Sequence, residues 1–369
     1  MIDPRRHDKA ERRSADRRSY DRPWHGHDRR RIASGALLGL AMTFLPRSGT
    51  AATADSYVRS GVGPPPPYPG DTARSAAASR ALEAVRLHVE RDSKARRAAD
   101  GLSGSEQTAV AHIAAQPQAR WFGDWNADVR ASVDAFVSEA AQEGEMPVLV
   151  AYNIPDRDCS QHSAGGVGSP TEYRAWVRDL AAGIGEREAL VVLEPDALAL
   201  VSCLTPGARG ERFALVREAV ETLKANPRTL VYVDAGHAEW VDADEMASRL
   251  AMSGASRADG FALNVSNFVA TETNLAYGER VAARLGGSHF IVDTSRNGGH
   301  VARGEWCNPS GAGLGQEPTT DTGHPLADAF LWIKRPGESD GTCNGGPRAG
   351  EWWTDYAVRL ANQGHFAQD

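Results

Sequence analysis

Four aspartates, Asp158, Asp196, Asp234 and Asp340, stand where short apolar runs of the chain give way to polar segments. Carboxylates in such positions do acid–base chemistry when their surroundings push their pKa values apart, so that one stays protonated and donates while another stays ionised. Trp121, Trp240 and Trp306 offer flat faces on which sugar rings stack, and neighbouring amides and carboxylates suit hydroxyl groups. The combination reads as a carbohydrate cleft.

Competing chemistries are less well served. Asp196 and Asp234 could be helix N-caps, an ordinary use of aspartate after a strand. His237 and His300 with Asp234 and Asp293 have the donor types of a metal site, but no metal-motif spacing, so neither metal nor cofactor is expected. No Gly-x-Ser-x-Gly elbow is present, and no Gly-x-Gly-x-x-Gly follows the first strand.

Seven apolar runs hold or precede these residues: 120–125, 146–153, 190–196, 229–236, 260–267, 289–297 and 329–337. None alternates cleanly, which suits strands buried on both faces of a parallel sheet. Helical segments at Val129–Glu143, Glu172–Ile184, Arg209–Ala225 and Asp244–Met252 separate them, giving an α/β chain that forms a barrel or a doubly wound sheet. In both architectures ligands bind at the carboxyl ends of the strands. Upstream, the Ala- and Arg-rich stretch from Thr72 to about Arg97 predicts one peripheral helix.

Two longer segments carry a resemblance: Tyr152-Asn153-Ile154-Pro155-Asp156-Arg157-Asp158-Cys159 with Ser163-Ala164-Gly165-Gly166, and Leu190-Val191-Val192-Leu193-Glu194-Pro195-Asp196-Ala197-Leu198. With the later blocks Asp234–His237, Asn264–Asn267, Asp293–Gly298, Glu305–Cys307 and Trp332–Gly341, the chain resembles glycoside hydrolase family 6 over roughly residues 115–360. Members of that family are inverting endoglucanases and cellobiohydrolases on a distorted seven-stranded parallel β/α barrel. The resemblance implies that Asp196 is the general acid and that the charge of Asp158 keeps it protonated. It places Asp340 at the position proposed for the base and Tyr152 against the distorted ring. It further implies sugar-binding roles for Trp121, Asp234, His237, Trp240, Asn267, Trp306, Lys334 and Glu338.

The four cysteines suit two disulfides in an oxidising compartment. A Cys159–Cys203 bond would tie the Asp158 and Asp196 loops together, and Cys307 would pair with Cys343. The N-terminus has repeated Arg-Arg pairs, an apolar run from Ile32 to Leu45 and Ala52-Thr53-Ala54, which together read as a secretory signal peptide over 1–54. A Pro-rich linker over 55–72 and a catalytic domain over 73–369 follow. Residues 55–369 hold 29 basic and 42 acidic side chains, a net charge of about −13 that argues against a nucleic-acid partner. The expectation is a secreted monomer with no membrane segment once processed, acting on β-1,4-glucan chains. No cellulose-binding module is evident. Short connections after Asn267 and after Asp340 leave little chain for a roof, which favours internal cleavage over a cellobiohydrolase or a non-catalytic glucan-binding protein.

Overall fold

The computed structural model describes residues 72–160 and 163–364. The expected signal peptide and nearly all of the expected linker lie outside the described residues.

Seven parallel strands form one sheet in chain order: β1 (Arg120–Phe122), β2 (Val148–Ala151), β3 (Ala189–Leu193), β4 (Thr229–Asp234), β5 (Gly260–Leu263), β6 (His289–Asp293) and β7 (Ala327–Leu331). Every residue of β2, β3, β4, β5 and β7 is buried, as their continuous apolar character requires. One set of alternating side chains, including Val150, Val192, Tyr232, Ile291 and Leu331, fills the inside of the curl. The other set, including Leu149, Val191, Val233, Phe261 and Phe290, packs outward on the helices.

The curl closes as a distorted barrel through a thin seam. Gln118 bridges Trp332 in parallel, the Ala119 N–H donates to the Trp332 carbonyl at 3.0 Å, and the Trp121 indole donates to the Ile333 carbonyl at 2.9 Å.

Helices α4 (Val129–Glu143), α5 (Pro170–Ile184), α6 (Pro206–Leu223), α7 (Ala243–Met252) and α8 (Thr271–Arg284) make the crossovers. Their starts are capped by Asp128, Ser169, Thr205 and Asp242 where a side chain accepts a first-turn N–H. Asp196 and Asp234 are therefore not the helix caps of their loops.

The single helix expected over 72–97 is corrected by the structure. Helix α1 (Thr72–Glu83) ends early, Arg86–Leu87 pairs in parallel with Glu145–Met146, and a second helix α2 begins at Lys94 and runs to Asp100. Val85 and Val89 are poor helix formers, and the Glu145–Met146 edge offers the backbone a strand partner instead. Leu82 and Ala78 on α1 pack into the inner core, while α2, α3 (Gly104–Ala114) and α9 (Thr354–Gln363) enclose a third apolar cluster around Trp332 and Leu314.

Candidate active site

At the carboxyl ends of the strands the backbone is bent unusually. Asp158, Glu194, Asp196, Asn264 and Ser266 all have φ between 51° and 67°. That left-handed region disfavours side chains other than Gly, Asn and Asp, and such strain clusters at functional sites.

The bends leave N–H groups pointing off the sheet, and carboxylates from neighbouring strands satisfy them. Glu194 accepts from Asn153 and Ile154 at 3.0 and 3.1 Å. Asp234 accepts from Asp196 at 2.9 Å and from Gly236 at 3.0 Å. Asp293 accepts from Ser266, Ser295, Ile333 and Lys334. All three carboxylates are buried, and burial pushes Glu194 and Asp234 up to about 7 and Asp293 above its ordinary value. Backbone N–H groups take both oxygens of Asp293, whereas both Asp234 bonds fall on Oδ2 and its buried Oδ1 accepts none.

On one rim, Asp158 follows β2 and Asp196 follows β3. Burial, then the charges of Asp234 and Asp158, push the Asp196 carboxyl well above its ordinary value. One Asp158 oxygen accepts the Ser163 N–H at 2.7 Å. The preceding residue, Arg157, donates to Asp124, the Tyr152 carbonyl and the Ser163 carbonyl, and its guanidinium lies 4.5 Å from the Tyr152 ring centroid. Tyr152 meets Trp121 edge to face at 5.2 Å. The Cys159–Cys203 disulfide joins the two aspartate loops.

The other rim is built around Asp340. Arg296 donates to both its oxygens, at 2.9 and 2.8 Å, with Lys334 at 3.2 Å and the Asn308 N–H at 3.0 Å. Burial alone would raise this carboxyl, but the Arg296 and Lys334 charges outweigh it and hold it below its ordinary value. Arg296 is itself fully buried, with its guanidinium 4.4 Å from the Phe268 ring centroid. The Cys307–Cys343 disulfide braces this rim beside Asn308.

Between the rims runs a cleft of about 1460 Å³. Trp121, Tyr152, Asp158, Asp196, His237, Trp240, Asn267, Trp306, Lys334, Glu338 and Asp340 all line it. His237 is pushed down to about 4 by burial and so presents a neutral imidazole to the cleft. Asp234 is the exception. Expected among the sugar-binding groups, it is buried behind Asp196 and does not face the cleft.

Residues to which the sequence assigned no role also take part. Arg296 and Arg157 orient the aspartates, and Trp125, at 54% exposure on the cleft, is more open than Trp240 or Trp306. Both arginines sit inside the quoted motif blocks, so the signal was adjacency to an aspartate or asparagine that looked more chemical. The β5–β6 connection is taken up largely by α8, with only Leu285–Ser288 left before β6.

The family model for glycosyl hydrolases family 6 matches residues 82–364. Endoglucanase A of Cellulomonas fimi is 42% identical over 283 residues, covering 76% of this chain and 62% of the relative. Endoglucanase 1 of Streptomyces halstedii is 44% identical over 285 residues, covering 74% of this chain and 88% of the relative. The chain thus spans less than two thirds of the length of the first of these. Among solved structures, the endoglucanase Cel6 of Mycobacterium tuberculosis, in complex with methyl-cellobiosyl-4-deoxy-4-thio-β-D-cellobioside, superposes with a TM-score of 0.74 at 45% identity, covering 78% of this chain and 99% of that one.

Proposed function

The chain belongs to glycosyl hydrolase family 6, and on that premise we propose that it is a secreted, inverting endo-β-1,4-glucanase with Asp196 as general acid. The observation that carries the reading is the setting of Asp196, a cleft-facing carboxyl raised by burial and by two neighbouring acids. A proton donor must hold its proton at the working pH, and this setting supplies that condition.

In the proposed reaction, Asp196 gives its proton to the glycosidic oxygen as the bond from that oxygen to the anomeric carbon breaks. A water attacks the opposite face of the ring, and its proton passes to solvent on the Asp158 side. Asp158 stays ionised and keeps Asp196 protonated in the resting state. Tyr152 supports the distorted ring. Asp340 serves as a fixed negative charge rather than the direct base, because protonating it would break its two-oxygen pairing with Arg296. Trp121, His237, Trp240, Asn267, Trp306, Lys334 and Glu338 hold the glucan along the cleft.

Export through a signal peptide over 1–54, with a catalytic domain over 73–369, rests on the basic, apolar and small-residue pattern of the N-terminus. Internal cleavage rests on the connection after Asn267, most of which α8 absorbs. Two measurements on carboxymethylcellulose and a soluble oligosaccharide test the whole reading. Viscosity should fall rapidly for each reducing end formed, and proton NMR should show the first product in the α configuration. Cellobiose as nearly the sole product with viscosity preserved would make this an exo-enzyme. A first product with retained β configuration would overturn the mechanism.

A further inference from the structure

We propose that Glu90 and Lys94 are positioning residues, forming a charged clasp over the barrel seam that fixes the sugar-binding groups at that end of the cleft. The inference rests on the glucanase reading of the cleft.

Among the described residues the seam lacks a continuous ladder and is joined by the Gln118–Trp332 bridge, the Ala119–Trp332 backbone hydrogen bond and the Trp121 indole, with side chains added over them. Glu90 spans it. One carboxylate oxygen accepts from Arg120 at 3.2 Å, on the β1 side, and the other accepts from Arg335 at 2.7 Å, on the β7 side. Arg335 also donates to the Ala119 carbonyl at 2.7 Å, so it too crosses the join.

Four residues later, Lys94 pairs with Glu338 at 3.0 Å and donates to the Gly350 carbonyl at 2.6 Å. Glu90, Lys94, Arg120 and Arg335 all line the cleft. Each cation held by Glu90 adjoins a residue assigned to sugar binding: Arg120 precedes Trp121, and Arg335 follows Lys334. Lys94 acts on a third such residue, Glu338, directly.

Removing the Glu90 charge would leave Arg120 and Arg335 as two like charges across a thin seam, pushing Trp121 and Lys334 apart. Removing the Lys94 ammonium would free the Glu338 carboxylate to turn from its bound orientation. Both changes act on groups that grip the glucan and not on Asp196, whose partners are Asp158 and Asp234. They should therefore weaken binding more than turnover. Lys94 is half-exposed, with 43% of its side chain accessible, so its replacement spares the core.

The test compares the full-length parent with Lys94→Met, Lys94→Arg and Glu90→Gln on cellohexaose, with kcat and KM separated and thermal melts recorded for each. Lys94→Met and Glu90→Gln should raise KM about tenfold, the usual cost of a hydrogen bond to a charged group, with kcat changed by less than about twofold. Lys94→Arg keeps a cation at the same place and should recover most of the affinity. Titration of each variant with cellotriose, followed by tryptophan fluorescence, should show the same order. An active parent whose folded Lys94→Met variant keeps its KM would overturn the clasp alone, as would a loss confined to kcat or to melting temperature. A parent inactive on every β-1,4-glucan would overturn the glucanase reading and the clasp with it.

Discussion

The two rims of the cleft are built from the same parts and reach opposite electrostatic states. Each is a loop rim following parallel strands, each carries an aspartate facing the cleft, and each is braced by a disulfide, Cys159–Cys203 on one side and Cys307–Cys343 on the other. Burial raises both carboxyls. At Asp196 the neighbouring charges are Asp234 and Asp158, which raise it further. At Asp340 they are Arg296 and Lys334, which reverse the effect. Burial is common to the two rims, so the sign is set by which charges the adjoining strands deliver.

The largest effect should come from deleting the raised carboxyl. Asp196→Ala is expected to cut turnover on unactivated glucan by about 10²–10⁴-fold while leaving oligosaccharide binding nearly intact. Substrates with good leaving groups should be partly spared, and an equal loss on both kinds of substrate would remove Asp196 from the donor role.

The opposite rim is broken through its cation. Arg296→Met leaves the buried Asp340 with Lys334 and the Asn308 N–H, and urea denaturation should show a loss of about 3–5 kcal/mol, the range for stripping one partner from a buried pair. Adding Asp340→Asn to that variant should restore part of the loss. A double variant no more stable than the single one would mean that the cost lies in packing on Phe268.

Next in size are the disulfides. Replacing either cysteine pair by serine should lower stability by about 2–4 kcal/mol, and the similar sequence separations of 44 and 36 predict similar losses for the two rims. Denaturant midpoints that differ widely would show that one rim retains structure when unfolded.

The smallest effect is a shift in pH response. Asp234→Asn removes a charge that raises Asp196, so the alkaline limb of the activity profile should move to lower pH. Stability should respond as well. Glu194 and Asp234 have ordinary values of 4.5 and 3.8 and are raised in the fold to about 7. Between those limits the folded protein binds more protons than the unfolded chain, so their contribution is full below about 4 and is lost as pH rises through about 7. Asp340 works the other way, contributing above its ordinary value of 3.8 and losing that contribution as pH falls through its lowered one. Melting temperature measured across this range should fall with rising pH for the parent and less steeply for Asp234→Asn.

The sequence by itself carried the strand–helix order, because apolar runs without alternation need cover on both faces and the intervening segments have helical period. It also carried Asp158, Asp196 and Asp340, which lie in long motif blocks, and the cysteine pairing suggested by their places beside those aspartates. It misread 72–97, where alanine content masked a break that only the Glu145–Met146 edge explains, and it set Asp234 among the sugar-binding groups of the cleft. Asp234 is the last residue of β4 and Asp196 lies three residues beyond β3, so both leave the carboxyl end of the sheet. What divides them is the direction of the side chain once neighbouring strands are in register: Asp234 turns inward to take the Asp196 N–H, and Asp196 faces the cleft. The state of each carboxyl was likewise decided by tertiary structure alone, since charge interaction depends on distances between groups such as Arg296 and Asp340 that lie 44 residues apart in the chain.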